Sequence, residues 1–188
     1  NWSGTTPLAG QFPQRTRPWD QAAMARVQAG LPLALKDTSP AVRLQAIAGL
    51  FAVARPALPA LREALRTETD PRNLAALAQG LGVLGDFMSA QALGAILQDP
   101  KRPEAVRAAA LDALGRLRGP QALTARVSLV YDSAAPASLV ARALPSLGRD
   151  GVIPPNDLAG FLEHADPTVR AAGLAALVGR KALPEEVR

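Results

Sequence analysis

The chain repeats itself with a period of about 32 residues, and no other feature constrains its fold as tightly. Val42-Arg43, Val106-Arg107 and Val169-Arg170 each open a helical run, and they are separated by 64 and then 63 residues, or two periods. At the half-period positions the chain reads "DPRNLAALAQGLGVLGD" from Asp70 and "SAAPASLVARALPSLGRD" from Ser133, with the same order of Pro, apolar run and Gly. Five units result, starting near residues 37, 70, 102, 133 and 165. Val106, Ala110, Ala113, Leu114 and Leu117 recur at the spacing of one helical stripe. Val42, Ala46, Gly49 and Leu50 repeat that stripe, as do Val169, Gly173, Ala176 and Leu177. Pro40, Pro71, Pro103, Pro136 and Pro167 stand before or within the first turn, where a missing N–H costs little. Gly85, Gly119 and Gly148 are expected to end the first helix of their units.

A second helix is predicted in each unit, over Pro56–Arg66, Phe87–Gln98, Gln121–Tyr131 and Asn156–His164. Leu58, Leu61 and Leu65 mark its buried stripe in the first unit, and Leu93, Ile96 and Leu97 in the second. A single helix pair of this size cannot bury its own apolar face, so the pairs must stack. The expected fold is all-α, a right-handed α-solenoid of stacked antiparallel helix pairs. Residues 1–18 read as an extended tail and 19–183 as the repeat domain, opened by an irregular helix pair over 19–36. Residues 184–188 read as the start of a further helix or the C-terminal end. Composition agrees with close-packed helices: 48% of residues are hydrophobic but only 4% aromatic, so small aliphatic side chains fill the core.

The units, in "SPAVRLQAIAGL", "RPEAVRAAALDALGRL" and "DPTVRAAGLAALVG", resemble HEAT-like repeats of the short bacterial type, often called bilin-lyase-type HEAT repeats. The resemblance spans roughly Asp37 to Leu183, and units two and four depart from it with Asn73-Leu74 and Ala137-Ser138 in place of Val-Arg. It implies an interaction scaffold first, and by analogy alone a tetrapyrrole lyase or its helper. A di-iron branch of the family uses repeated His-Glu pairs, which a chain whose only histidine is His164 does not supply. A base-excision branch uses concave aromatics, whereas Trp2 and Trp19 precede the repeat array and Tyr131 stands alone. Trp19 is expected to cover the apolar end of the first helix pair.

Catalytic chemistry finds little support in the residues. With no cysteine, disulfides, zinc–thiolate sites and cysteine nucleophiles are excluded, and a single histidine gives little support to a Ser/His/Asp triad. His164 reads as a surface residue at a helix end, and "GLGVLG" from Gly80 as a helix stop, not a phosphate loop. Neither a metal nor a cofactor is expected, nor a transmembrane segment. The start at Asn1 instead of Met reads as a processed form or a fragment, which leans toward export.

Two sets of charged residues remain. Asp37, Arg43, Arg107, Asp166 and Arg170 recur at the unit starts and read as a structural ladder, with Asp capping helices and Arg bonding to Asp or to a neighbouring unit's backbone. The turns after the first helices carry Arg55, Asp86, Arg118, Arg149 and Lys181 at one phase, with Arg116 and Arg180 beside two of them. At this phase four of five residues are basic, so they form a candidate ridge for an acidic protein or a phosphate backbone. The structural alternative is compensation of helix C-terminal dipoles. The stretch "FMSAQALGAILQ", Phe87–Gln98, carries no charge and is expected to be covered by neighbouring helices or by a partner. The function expected is a non-enzymatic protein–protein interaction or scaffold module, with nucleic-acid binding along the ridge as the second reading.

Overall fold

The computed structural model describes residues 29–179, so Trp2, Trp19, Arg180, Lys181 and the two terminal segments lie outside the described residues. The described chain is an all-α solenoid. The first helices of the five units are α1 (Pro40–Val53), α3 (Pro71–Val83), α5 (Glu104–Arg116), α7 (Ala137–Arg149) and α9 (Pro167–Val178). The second helices are α2 (Leu58–Thr67), α4 (Ala90–Gln98), α6 (Pro120–Val130) and α8 (Pro155–Phe161). Short 3-10 turns, Arg55–Ala57 and Phe87–Ser89, precede α2 and α4. Each predicted second helix is therefore present, with its start displaced where the chain first makes a tighter turn.

The five repeat prolines open the first helices as the sequence implies. Pro40, Pro71 and Pro167 occupy the first helical position, and Pro103 and Pro136 the residue before it. Asp70 and Asp166 complete two of these starts. Their carboxylates accept from backbone N–H groups of the first turn, Asp70 from Arg72 and Asn73 and Asp166 from Thr168. The stripe Val106, Ala110, Ala113, Leu114 and Leu117 is buried throughout, as is Val169, Ala176 and Leu177. Val42 differs: it is 41% exposed.

Gly148 does not end α7. It lies buried inside the helix, which runs on to Arg149, and the turn is made by Gly151 at φ 73°. Gly148 is instead where α9 crosses. A Cβ there would lie 2.4 Å from Ala176 Cβ, closer than two methyl groups approach. Gly82 in α3 has the same role against α5, with Ala113 Cα 2.7 Å from the position of its missing Cβ.

Unit one ends its first helix differently. Ala54 stands where unit two has Gly85, at φ 62° and ψ −131°, a region that L side chains rarely adopt. Ala54→Gly is expected to raise the unfolding free energy by about 1 kcal/mol, read from the urea midpoint at unchanged slope.

Candidate binding surface

Polar side chains satisfy the helix ends and, at some joints, tie one unit to the next. Arg43 Nη1 donates to the carbonyls of Asp37 and Thr38, at 2.9 and 3.2 Å. Arg107 Nε donates to Leu97 O at 2.8 Å, and Arg170 Nη1 to His164 O and Ala165 O, both at 2.8 Å. Each of these three arginines thus covers carbonyls in the segment just before its own helix, groups that have no helical partner. The Asp37 carboxylate accepts from Ser39 N at 2.7 Å, so it shapes the turn while Arg43 uses the Asp37 backbone. His164 is drawn into the same scheme, its Nδ1 accepting from Asp166 N at 3.0 Å.

Four buried polar residues carry no sequence signal that marks them in isolation. Glu68, in the turn after α2, receives Arg43 Nε at 2.9 Å and Nη2 at 2.7 Å, the amides of Thr69 and Asp70, and Asn73 Nδ2 at 3.0 Å. Asn73 also donates to Pro40 O at 3.0 Å, which closes a knot between units one and two. Asp86 is buried against Arg62, whose Nε lies 2.8 Å from Oδ2, and against the Ser89 hydroxyl. Burial opposes ionisation of Asp86, but Arg62 and Ser89 outweigh it and hold its carboxyl below the usual range. The acidic residue at the ridge phase is therefore neutralised inside the fold. Arg126, on α6, is the fourth.

The basic residues of that phase lie on the outside. Arg55 is exposed in the 3-10 turn after α1, Arg116 in the last turn of α5, Arg118 just past it and Arg149 at the end of α7. Among the described residues none of these four forms an ion pair. The uncharged stretch Phe87–Gln98 divides in two. Ala90, Leu93, Gly94, Ile96 and Leu97 are buried by neighbouring helices, whereas Phe87 and Met88 are 68% and 63% exposed. Val83, at the end of α3, is 70% exposed beside them in sequence. The turn of unit two thus displays apolar side chains where the turns of units one, three and four display arginine.

A family model for HEAT repeats matches residues 27–104 and 58–137, together more than half of the chain. The chain belongs to the HEAT repeat family. HEAT repeats commonly serve as protein-interaction scaffolds, and their fold is typically non-catalytic. No curated protein matches the chain. In this HEAT repeat chain no described helix is long and apolar enough to cross a membrane. Among the described residues there is also no cluster of three or more His, Cys, Asp or Glu of metal-binding type.

Proposed function

We propose that the chain is a non-catalytic docking module whose helix–turn edge receives an acidic protein segment carrying an apolar anchor. The observation that carries this reading is the exposed set Val83, Phe87 and Met88 between the unpaired Arg55 on one side and Arg118 and Arg149 on the other. Three large apolar side chains on one turn cost hydration unless they are covered. Arginines one and two units away supply the charge complement for carboxylates flanking such an anchor. Val83 and Met88 have no planar face for base stacking, so the composition of the edge favours a protein segment over nucleic acid.

The test is fluorescence anisotropy with the full chain and labelled synthetic peptides. One peptide places Asp and Glu around a Leu-Phe anchor, the second replaces the anchor by Ser, and the third inverts the charges. The first is expected to bind, and each of the others to bind at least about tenfold more weakly. Phe87→Ser with Met88→Ser, and separately Arg118→Glu with Arg149→Glu, are expected to weaken the first peptide about tenfold with the fold intact. Equal affinity for the anchorless peptide would sink the reading, as would tighter binding of a single-stranded oligonucleotide with a steep salt dependence.

A further inference from the structure

The joints between successive first helices are closed in different ways, Phe51 of α1 against Gly80 of α3 at the first of them. Gly82, Gly115 and Gly148 are each the twelfth residue of their helices α3, α5 and α7. Gly82 meets Ala113 and Gly148 meets Ala176, and those alanines are the tenth residues of α5 and α9. At the joint between α5 and α7 the tenth residue of α7 is Ser146, and a Cβ on Gly115 would meet nothing within 4 Å. The helices stand apart there, leaving an open cleft of about 440 Å³ whose lining includes Asp112, Gly115, Arg116, Arg126, Arg142 and Ser146. Polar bridges link α5 to α7 instead of a glycine contact, one at the cleft and one in the first turns of the two helices. Arg142 Nε lies 2.6 Å from Asp112 Oδ1, and Ser138 Oγ lies 2.5 Å from Glu104 Oε1.

Arg126 enters this cleft from α6 and is only 7% exposed. A guanidinium carries five N–H donors. Among the described residues Arg126 uses one of them, from Nη2 to Ser146 Oγ at 2.6 Å. Ser146 Oγ lies 3.1 Å from Ala143 O and donates to it, which leaves a lone pair for the arginine. The repeat shows what is missing. Arg62 and Arg126 are 64 residues apart, and so are Asp86 and Asp150. Arg62 takes Asp86 in a two-pronged ion pair, but Arg126 forms none with Asp150, which stays exposed and is felt only through its field. Burial accordingly pushes the Arg126 guanidinium below its ordinary value. With Asp112 engaged by Arg142, the side chains of Arg116, Arg126 and Arg142 leave the cleft two positive charges in excess.

We infer that this cleft is a binding site for a small oxyanion, a phosphate or phosphate monoester, held by the free N–H groups of Arg126 with Arg116 at the mouth. Ser146 orients the guanidinium. Bidentate capture of an oxyanion is the geometry a fixed guanidinium fork suits. It would also relieve the cost of burying an unpaired charge.

The test uses the full chain and inorganic phosphate as the probe, exchanged for chloride at constant ionic strength, with sulfate and acetate as separate arms. Phosphate at about ten times its dissociation constant is expected to raise the melting temperature by about 3 °C. Arg126→Met is expected to fold, since an apolar replacement of a buried unpaired charge is neutral or stabilising, and to lose the phosphate-dependent rise. Asp150→Asn keeps the rise and tightens binding about threefold, because a competing carboxylate is removed. A response to phosphate and sulfate with acetate silent assigns a phosphoryl-type ligand, and an equal response to acetate extends the site to carboxylates. No response in the wild-type chain, or an equal response in Arg126→Met, overturns the assignment. Should Arg126→Met not fold, titrating the Arg126 Nε–H resonance of the wild-type chain with phosphate decides it. A saturable shift supports the site, and an unmoved resonance rejects it.

Discussion

Glu68→Ala is expected to lower the unfolding free energy by about 3 kcal/mol at neutral pH, read by urea denaturation. The substitution removes the acceptor for Arg43, for two backbone amides and for Asn73, all in the knot between the first two units. Truncation leaves the Asn73 side-chain amide, in a residue 1% exposed, with Pro40 O as its one remaining acceptor among the described residues. The pH dependence gives an independent check. Burial opposes ionisation of Glu68, but the Arg43 guanidinium, the Asp70 amide, Asn73 and the Thr69 amide outweigh it and bring its carboxyl down to about 2 from 4.5. A carboxyl depressed in the folded state gives stability that is fully present above its unfolded value and is lost as pH falls through the folded one. Stability of the wild-type chain is therefore expected to fall between about pH 5 and pH 2, and in Glu68→Ala that part of the slope disappears. An unchanged acid limb in Glu68→Ala counts against the knot as the source.

Gly148→Ala and Gly115→Ala are expected to move stability in opposite directions. Both glycines occupy the same position of their helices, so local helix propensity favours alanine at each by about 1 kcal/mol. At Gly115 nothing stands within 4 Å, and the full gain of about 1 kcal/mol is expected. At Gly148 the added methyl would sit 2.4 Å from Ala176 Cβ and 3.1 Å from its Cα. Backbone of α9 cannot give way as a side-chain tip does, so α7 and α9 must separate. Overpacking is expected to exceed the propensity gain, for a net loss of about 2 kcal/mol and a fall in melting temperature of about 5 °C. Calorimetry on the two variants reads both signs. Equal effects at the two sites would show that the Ala176 contact at Gly148 does not matter.

Much of the repeat was legible before any coordinates. The prolines at the unit starts, the Val106 to Leu117 stripe and the arginines after it are local signals, because a helix start and a helical face are defined within a dozen residues. The ladder arginines are found on carbonyls just before their own helices, also a short-range relation. The apolar break at Phe87 and Met88 was visible as an uncharged stretch, but not which of its residues are exposed. Gly148 reads as a stop in sequence because Gly85 and Gly148 look alike, each closing an apolar run before Asp or Arg-Asp, and only the fold separates them. Arg62 with Asp86 and Arg126 with Asp150 share the spacing of the Val-Arg motif, so their recurrence was readable. Their different fates were not.

The sequence alone determined the helices, the period and the buried stripe, because hydrophobic periodicity and turn residues act along the chain. Only the tertiary structure decided which joints close. Gly82, Gly115 and Gly148 are each the twelfth residue of their helices, yet two receive an alanine of the next unit and one faces a cleft. The difference lies with residues far along the chain, Arg126 in place of Gly94 one unit before and Ser146 in place of alanine. A buried guanidinium needs room and polar company, so the helices around it stay apart.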